Sequence, residues 1–461
     1  MLILLFAFVA VQLAVALWAL RRIRDEDDFL VAGRRLGPAL AAISIFATWF
    51  GAESCVGAAG AAYETGWTWN APEPFAYGLC LILTGLFFAA RLWRLRITTM
   101  ADFLSRRFGP SSERLAAALL LPSSLLWAAA QIRAFGQVVA INSDGAIGVE
   151  AAIGIAAGIA IVYTVAGGLL ADVYTDVIQC GALLVGIVAL AVAVWWNLPQ
   201  ADAAAASAPT SVPPQARPLG WFSQFEEWAI PICGSVVAQE VVSRTLASRS
   251  ASVARGAAVA GGTIYVLVGL IPLSIGALGP RFSPELADPE GILPRLSLEL
   301  LPTALNLVFA GALIAAILST VDSCLLVVSS LVARNLTPRS DPDAPAKDRL
   351  RLARWSVVGG GLVAYALASS DWNVADLVEE ASGFGSAGVF VLACVGLYGT
   401  RGRSLAANLT LLTGLGVWVT GRHLLPDAVP HPYMTSLAAA IAAFVVGCLI
   451  ERLRSTPARD Q

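Results

Sequence analysis

Three oxygen-bearing side chains lie at helical spacing in the apolar stretch 315–323 (AAILSTVDS). Ser319, Asp322 and Ser323 stand at i, i+3 and i+4, so a helix places two hydroxyls and a carboxylate on one face. Oxygen ligands alone suit a hard cation, whereas a softer metal would call for Cys or His. We therefore predict a buried cation site here. The alternative, hydroxyls that only bond back to their own helix, leaves Asp322 unexplained.

Other charged residues also interrupt apolar runs, where a charge costs on the order of 3 kcal/mol at the centre of a membrane. The deepest are Glu53, Arg133 and Asp176, together with Asp322, while other carboxylates are expected nearer an interface: Glu73, Glu240, Glu379 and Glu380. Arg133 could instead form a structural ion pair with Glu53 or Glu240. An intramembrane enzyme would have only the aspartyl pair Asp176 and Asp322, because both histidines lie near a late loop.

The elements that carry these side chains are predicted to be membrane helices. The chain of 461 residues is 57% hydrophobic and 13% charged, with a mean hydropathy of +0.73. A bilayer core of roughly 30 Å needs about 20 apolar residues per helix. The sequence predicts thirteen spans, at 2–20, 38–63, 71–90, 115–141, 148–166, 173–196, 223–243, 256–279, 303–332, 355–370, 375–398, 405–421 and 433–450.

The basic residues predict the orientation of these spans. All but five of the 30 fall in loops on one side, including the cluster Arg244, Arg249 and Arg255. On the other side lie Arg217, Arg281, Arg295 and Arg422, with Arg133 inside a span. Because basic loops stay cytoplasmic, the N-terminus is expected outside and the C-terminus inside, in a plasma or inner membrane. The first apolar segment is then a span rather than a signal peptide, since its basic cluster follows it.

Two of the predicted spans are interrupted near their middles. The second contains Gly51 and Glu53, and the seventh contains Glu226, Glu227 and Pro231. Irregular backbone inside a membrane persists where protein, ions or water satisfy it, and transporters place such breaks at corresponding positions of two inverted repeats. Spans 2–6 and 7–11 could form these repeats, although ordinary helix kinks remain the alternative.

Three ordered segments resemble signatures of the sodium:solute symporter family. They are residues 28–34 (DFLVAGR), 163–169 (YTVAGGL) with 174–179 (YTDVIQ), and 318–323 (LSTVDS). The resemblance runs from about residue 28 to 400. It implies the leucine-transporter fold, an all-α membrane protein with an inverted repeat of two five-helix units. One membrane domain, 1–461, would hold an extra helix 2–20, repeat one at 38–196, repeat two at 223–398 and two extra helices within 405–450.

The resemblance also implies two cation sites. The sodium site would use the backbone carbonyls of Ala47, Phe50 and Ala316 with the hydroxyls of Ser319 and Thr320. A second site would join Asp176 to Ser319, Asp322 and Ser323. Several relatives have serine at the position of Asp322, so this site could hold either a sodium ion or a proton.

Residues 47–51 (ATWFG) and 127–130 (WAAA) are most similar to the choline-transporter branch of that family. Its members surround a quaternary ammonium with aromatic rings, and Trp49, Tyr77 and Trp127 match ring positions, while Ala238 stands where a further tryptophan is expected. Arg133 lies where sialic-acid-transporting relatives hold a carboxylate. The predicted substrate residues are Trp49, Glu53, Tyr77, Trp127, Arg133 and Gln239.

These observations predict a sodium-coupled symporter that imports a small carboxylate or zwitterion by alternating access. Uptake of choline or another quaternary ammonium, or of a sugar, is the alternative. The co-transported ion would be Na⁺, with no organic cofactor, no nucleic acid and no obligatory protein partner. An enzyme is not expected, and neither is a sensor, since the sequence ends about ten residues after its last span.

Overall fold

The computed structural model describes residues 2–68, 72–143, 146–205, 220–286, 288–337 and 346–455. Ala71, the first residue of the third predicted span, lies outside these ranges, and so do three of the 30 basic residues counted above, Arg217, Arg339 and Arg459. The helices in chain order are α1 (Leu2–Leu20), α2 (Glu26–Val31), α3 (Pro38–Trp49), α4 (Ala58–Thr65), α5 (Pro72–Leu83), α6 (Ala90–Arg94), α7 (Met100–Phe108), α8 (Pro110–Asn142), α9 (Val149–Ala205), α10 (Trp221–Ala229), α11 (Gln239–Ala247), α12 (Ala251–Leu278), α13 (Ile292–Leu300), α14 (Thr303–Ser330), α15 (Ala346–Ala368), α16 (Val374–Gly383), α17 (Ser386–Tyr398), α18 (Ser404–Val419) and α19 (Pro432–Ser455).

The all-helical membrane architecture predicted from hydropathy is confirmed. Among the described residues, eight helical stretches are long and apolar enough to cross a membrane, and a bent pair makes a ninth. The helix α14 forms the centre of the fold, where it packs against α8, α9 and α15. Every residue of α14 from Phe309 to Ser330 is buried, so its polar side chains face other protein groups rather than lipid.

The break in the second predicted span lies between Trp49 and Glu53. Pro38–Trp49 and Glu53–Thr65 meet at an angle of 63°, and Phe50 has left the helical region with φ −85° and ψ 66°. The side-chain oxygen of Gln131, on α8, accepts a 2.9 Å hydrogen bond from the backbone N–H of Ala52. A side chain thereby satisfies backbone that the broken helix leaves unpaired.

The seventh predicted span is also broken. Its α10 half continues through a π-helical turn, Ile230–Gly234, and the chain resumes as α11 at Gln239. A Cβ on Gly234 would lie 2.3 Å from the carbonyl oxygen of Ser382, so glycine is needed for the close approach to α16. A third interruption, at Gly385 with φ +68°, separates α16 from α17.

The far ends of the two broken spans are joined to each other. Leu36, just before α3, pairs with Ser248, just after α11, in an isolated parallel bridge. The Leu36 N–H donates to Ala247 O at 3.0 Å, and the Arg249 N–H donates to Leu36 O at 2.9 Å. Two peptide hydrogen bonds thus connect α3 to α11 on the side away from their breaks.

The long helix α9 covers two predicted spans, 148–166 and 173–196, and changes direction at Gly168. This residue has φ +54° and ψ −165°, a conformation that is essentially restricted to glycine. A Cβ there would also lie 2.8 Å from the carbonyl oxygen of Phe29. Gly168 therefore permits both the turn and the contact with α2.

Substitution Gly168→Ala is expected to lower the free energy of unfolding by about 1–3 kcal/mol, because it adds backbone strain and a clash with Phe29. Thermal unfolding of the detergent-solubilised protein measures the loss. Gly158→Ala is the matched control, since it lies on the same helix and its Cβ would meet nothing within 4 Å. Equal unfolding temperatures for the two variants would contradict the role given to Gly168.

Candidate functional site

The hydroxyl face of α14 lies against two carboxylates of α9. The Ser319 hydroxyl donates to Asp176 Oδ1 at 2.5 Å and lies 3.2 Å from Asp172 Oδ1. The Ser44 hydroxyl, on α3, donates to Asp176 Oδ2 at 2.7 Å. Asp322 is held separately, because the Thr164 hydroxyl donates to its Oδ1 at 2.8 Å. The structure therefore brings the predicted residues Ser319, Asp176 and Asp322 into one buried polar cluster.

The same cluster contains two residues that the sequence predictions did not include. Asp172 and Arg244 form an ion pair, with exposed side-chain fractions of 0% and 1%. Arg244 also donates to Ser323 Oγ, and the Ser323 hydroxyl lies 3.1 Å from Asp172 Oδ2. The prediction that placed Arg244 in a basic loop with Arg249 is wrong, since Arg244 is buried within α11.

A sequence signal for this pair does exist. Asp172 precedes Asp176 by four residues, so both carboxylates lie on one face of a helix. The predicted sixth span began at residue 173 and excluded Asp172, although α9 passes through it. Arg244 follows Glu240 by four residues on α11 in the same way.

The predicted sodium site lies where α14 meets the break after α3. The Thr320 hydroxyl is 3.4 Å from Thr48 O and 3.3 Å from Ala316 O. A Cβ on Gly51 would lie 2.9 Å from Thr320 Oγ1, so the break approaches α14 without room for a side chain. Thr320 therefore lies at the break, close to Thr48 and Gly51, the chain neighbours of the predicted ligands Ala47 and Phe50.

Trp127 contacts two other predicted substrate residues, Trp49 and Tyr77. The ring centroids of Trp49 and Trp127 are 5.4 Å apart, and those of Tyr77 and Trp127 are 6.4 Å apart at 83°. The Tyr77 hydroxyl lies 3.4 Å from Ser382 Oγ and next to the Glu53 carboxylate. The Trp49 indole N–H is buried without a hydrogen-bond partner among the described residues, so a polar donor remains available at this cluster.

A cavity of about 750 Å³ extends from Tyr77 and Glu53 towards the mouth of the fold near Thr65. No lysine, arginine or histidine is among its described lining residues. Its seven lining carboxylates are Glu53, Glu64, Glu73, Glu227, Asp288, Glu290 and Glu379. Glu379 is paired with Arg422 at 2.9 Å. The described lining is therefore rich in carboxyl groups and offers a solute several acceptor oxygens.

Glu73 and Glu290 lie at different depths in this cavity. Glu73 is buried rather than near an interface, and its Oε1 accepts a hydrogen bond from the Tyr265 hydroxyl at 2.5 Å. Its Oε2 is buried without a partner among the described residues. Outside the spans, burial raises the pKa of Glu290, and the neighbouring Asp288 carboxylate raises that pKa further. Both carboxylates thus add acceptor groups to the cavity wall.

Arg133 is not among the described residues that line this cavity, although its charge acts on the Glu290 carboxyl in the cavity wall. Its Nη1 donates to two backbone carbonyl oxygens, Ala368 O at 3.0 Å and Ser370 O at 2.6 Å, at the C-terminal end of α15. A cation is favourable there because the last carbonyls of a helix are unpaired. The structure therefore does not bring Arg133 together with the predicted substrate residues Trp49, Tyr77 and Trp127.

The remaining substrate candidate, Gln239, lies at the start of α11. Its side-chain amide accepts from Met100 N at 2.7 Å and donates to Thr98 O at 3.1 Å. It also borders a small cavity beside Ala238 and Trp127. Glu240, expected near an interface, is buried and accepts from the Ser124 hydroxyl at 2.6 Å.

Two solved structures that resemble this chain are a Na⁺-coupled symporter and a nucleobase-cation-symport-1 family transporter. A Na⁺-coupled sialic acid symporter in a substrate-bound outward-open state matches with a TM-score of 0.80 at 19% identity, over 99% of this chain and 98% of the other. A nucleobase-cation-symport-1 family transporter in a closed conformation matches with a TM-score of 0.61 at 18% identity, over 92% and 94% of the two chains. At sequence identities this low, the structural similarity establishes the fold alone.

Sequence relatives include two kinds of transporter. The high-affinity choline transporters of Drosophila melanogaster and Homo sapiens are 27% and 29% identical, over 71% and 73% of this chain. The matches span only 55% and 61% of the lengths of those two proteins. The sodium/pantothenate symporter of Escherichia coli is 26% identical over 96% of this chain and 95% of its own length.

The family model for sodium:solute symporters matches residues 29–414. This stretch contains the broken second and seventh predicted spans, the α9 carboxylates and the hydroxyl face of α14. The chain therefore belongs to the sodium:solute symporter family.

Proposed function

We propose that this chain is a sodium-coupled symporter that moves a small organic cation across a membrane by alternating access. The acidic cavity that ends at Glu53 and Tyr77, where Tyr77 contacts the Trp127 ring, carries the proposal. Carboxylates attract and concentrate a cationic solute, and aromatic faces bind a quaternary ammonium by cation–π attraction. The choline transporters among the relatives support the same class of solute.

This proposal replaces the carboxylate or zwitterion that the sequence favoured. That preference depended on Arg133, whose guanidinium donates to the carbonyls at the end of α15 instead of facing the rings. A carboxylate entering the cavity would meet the carboxyl groups of Glu53 and Glu73 and no basic residue among the described lining residues. Burying an anionic solute without a basic partner is costly.

Sodium would bind between the break after α3 and the helix α14. Its ligands in this proposal are the carbonyls of Ala47, Phe50 and Ala316 and the hydroxyls of Ser319 and Thr320. Binding there would hold α3 against α14 and shape the aromatic cluster, since Phe50 directly follows Trp49. Coupling of this kind is reciprocal, so the solute would raise the affinity for sodium by the same factor.

The topology in this proposal has thirteen spans, with the N-terminus outside and the C-terminus in the cytoplasm. The inverted repeats are residues 38–196 and 223–398, and the breaks after Trp49 and Ala229 stand at corresponding positions in them. The cavity mouth near Thr65 then faces outward. An inside-negative potential contributes about 2.3 kcal/mol per imported charge per 100 mV. No enzymatic step, organic cofactor or protein partner is needed.

Uptake of radioactive choline into proteoliposomes tests the substrate class. We expect uptake that depends on an inward sodium gradient, and competition by other quaternary ammonium compounds but not by pantothenate or sialic acid. Glu53→Gln should raise the KM for choline about tenfold, which corresponds to about 1.4 kcal/mol of lost binding. Sodium-driven uptake of pantothenate without choline uptake would contradict the cationic substrate.

Glu299→Gln is the matched control for Glu53→Gln. Glu299 pairs with Arg295 on α13, where its side chain is 37% exposed, and it does not line the cavity. Its KM for choline should equal that of the unmodified protein. A rise in KM for both variants would indicate a general effect of surface charge rather than a role for Glu53.

A further inference from the structure

Arg244 contacts Ser323, one of the side chains that the sequence assigns to the second cation site. Its Nη2 donates to Asp172 Oδ2 and to Ser323 Oγ, and its Nη1 is 3.5 Å from Glu240 O. Its side chain is 1% exposed. Arginine is not deprotonated in proteins, so the chain itself supplies a permanent positive charge to this cluster.

The hydroxyl of Ser323 is already engaged in this arrangement. Its oxygen accepts from Arg244, and the hydroxyl is 2.8 Å from Ser319 O and 3.1 Å from Asp172 Oδ2. One of the two lone pairs of this oxygen is thus already used by Arg244. A sodium ion bound to Ser323 would also lie next to the guanidinium, and the two like charges would repel each other at low dielectric. Ser323 is therefore a partner of Arg244 rather than of a mobile ion.

The carboxylates of the cluster divide between two positions. Asp172 faces Arg244, whereas Asp176 faces Ser319 and Ser44 on the side of the sodium site. Three carboxylates, counting Asp322, stand against one guanidinium. Asp176, which does not face Arg244, is thus left as a carboxyl partner for a cation beside Ser319. Ser44 and Thr164 donate hydrogen bonds to Asp176 and Asp322, respectively.

We propose that the guanidinium of Arg244 occupies the cation position formed by Asp172 and Ser323, so that this transporter binds one sodium ion, at Ser319 and Thr320, rather than two. The inference rests on the proposed sodium-coupled symport and specifies its ion stoichiometry. Arg244 then acts as a tethered cation: it neutralises Asp172 and excludes a second ion without being transported.

Equilibrium binding of radioactive sodium to the purified protein, with no substrate present, tests the stoichiometry. We expect one ion per chain at saturation. Sodium activation of solute uptake should have a Hill coefficient of about 1, because this coefficient is limited by the number of cooperating sites. Two bound ions with a Hill coefficient clearly above 1 would overturn the inference and leave sodium-coupled symport intact. An absence of sodium binding would instead overturn the proposed function.

Arg244→Gln and Arg244→Lys provide the matched pair of variants. Glutamine removes the charge and leaves Asp172 and Ser323 free, so the number of bound sodium ions should rise from one to two. Lysine keeps the charge, so the number should remain one. One ion in both folded variants would show that Arg244 does not exclude a second ion, and would overturn the inference. If neither variant folds, the number of sodium ions bound by the unmodified protein still tests the inference.

Discussion

Thr320→Ala is expected to raise the sodium concentration for half-maximal uptake at least about tenfold, since even outer partners of a metal site change affinity by 10- to 100-fold. The double variant Ser319→Ala with Thr320→Ala should abolish sodium-stimulated uptake while the protein remains folded. The physical reason is that these hydroxyls belong to α14, whereas the other proposed ligands are backbone carbonyls. Side-chain substitution can therefore remove the α14 hydroxyls and leave the break after Trp49 unchanged.

Ser330→Ala is the control for this prediction. Ser330 is also a buried serine of α14, but its hydroxyl donates back to Val327 O at 2.8 Å, more than two turns beyond Thr320. Its sodium dependence in proteoliposomes should match that of the unmodified protein. Unchanged sodium dependence in the double variant would refute the assignment of Ser319 and Thr320 to the site.

Arg244→Met is expected to lower the free energy of unfolding by about 3–5 kcal/mol in sodium-free potassium buffer. The substitution leaves Asp172 buried without its partner, beside Asp176 and Asp322. The double variant Arg244→Met with Asp172→Asn should recover a large part of the loss, because the charge that lost its partner is also removed. Thermal unfolding of the single and double variants in detergent measures the difference.

Asp172→Asn alone completes the double-variant cycle. Asp172→Asn should lower the free energy of unfolding less than Arg244→Met does, since Arg244 keeps Ser323 and the nearby carboxylates as partners. If the free-energy losses of the two single variants simply add in the double variant, the two side chains do not stabilise each other. The ion pair would then have no role in holding α11 against α9.

Hydropathy and backbone chemistry predicted much of the fold. The helix α1 has the bounds of the first predicted span, and both interruptions, near Gly51 and Pro231, occur in the structure. These predictions worked because they depend on local properties: apolar length, and residues that disrupt a helix. The face formed by Ser319 and Asp322 was likewise predictable from spacing alone.

The partners of individual polar residues could not be predicted in this way. Arg133 binds carbonyls more than 230 residues later in the sequence, and no local pattern encodes that contact. Arg244 was grouped with Arg249 by charge, although the packing of α11 against α3 and α14 determines that only Arg244 is buried. Burial of a charge is a property of tertiary packing, so the Asp172 ion pair was found only in the structure.

The bridge between Leu36 and Ser248 limits how the two broken helices can move. Because peptide hydrogen bonds join the far ends of α3 and α11, a tilt of either half-helix must carry the other with it or break both bonds. We therefore expect the two half-helices to move together as one rigid unit. A displacement of Phe50 would then reach Arg244 through the hydrogen-bonded backbone, and no chain of side-chain contacts would be needed.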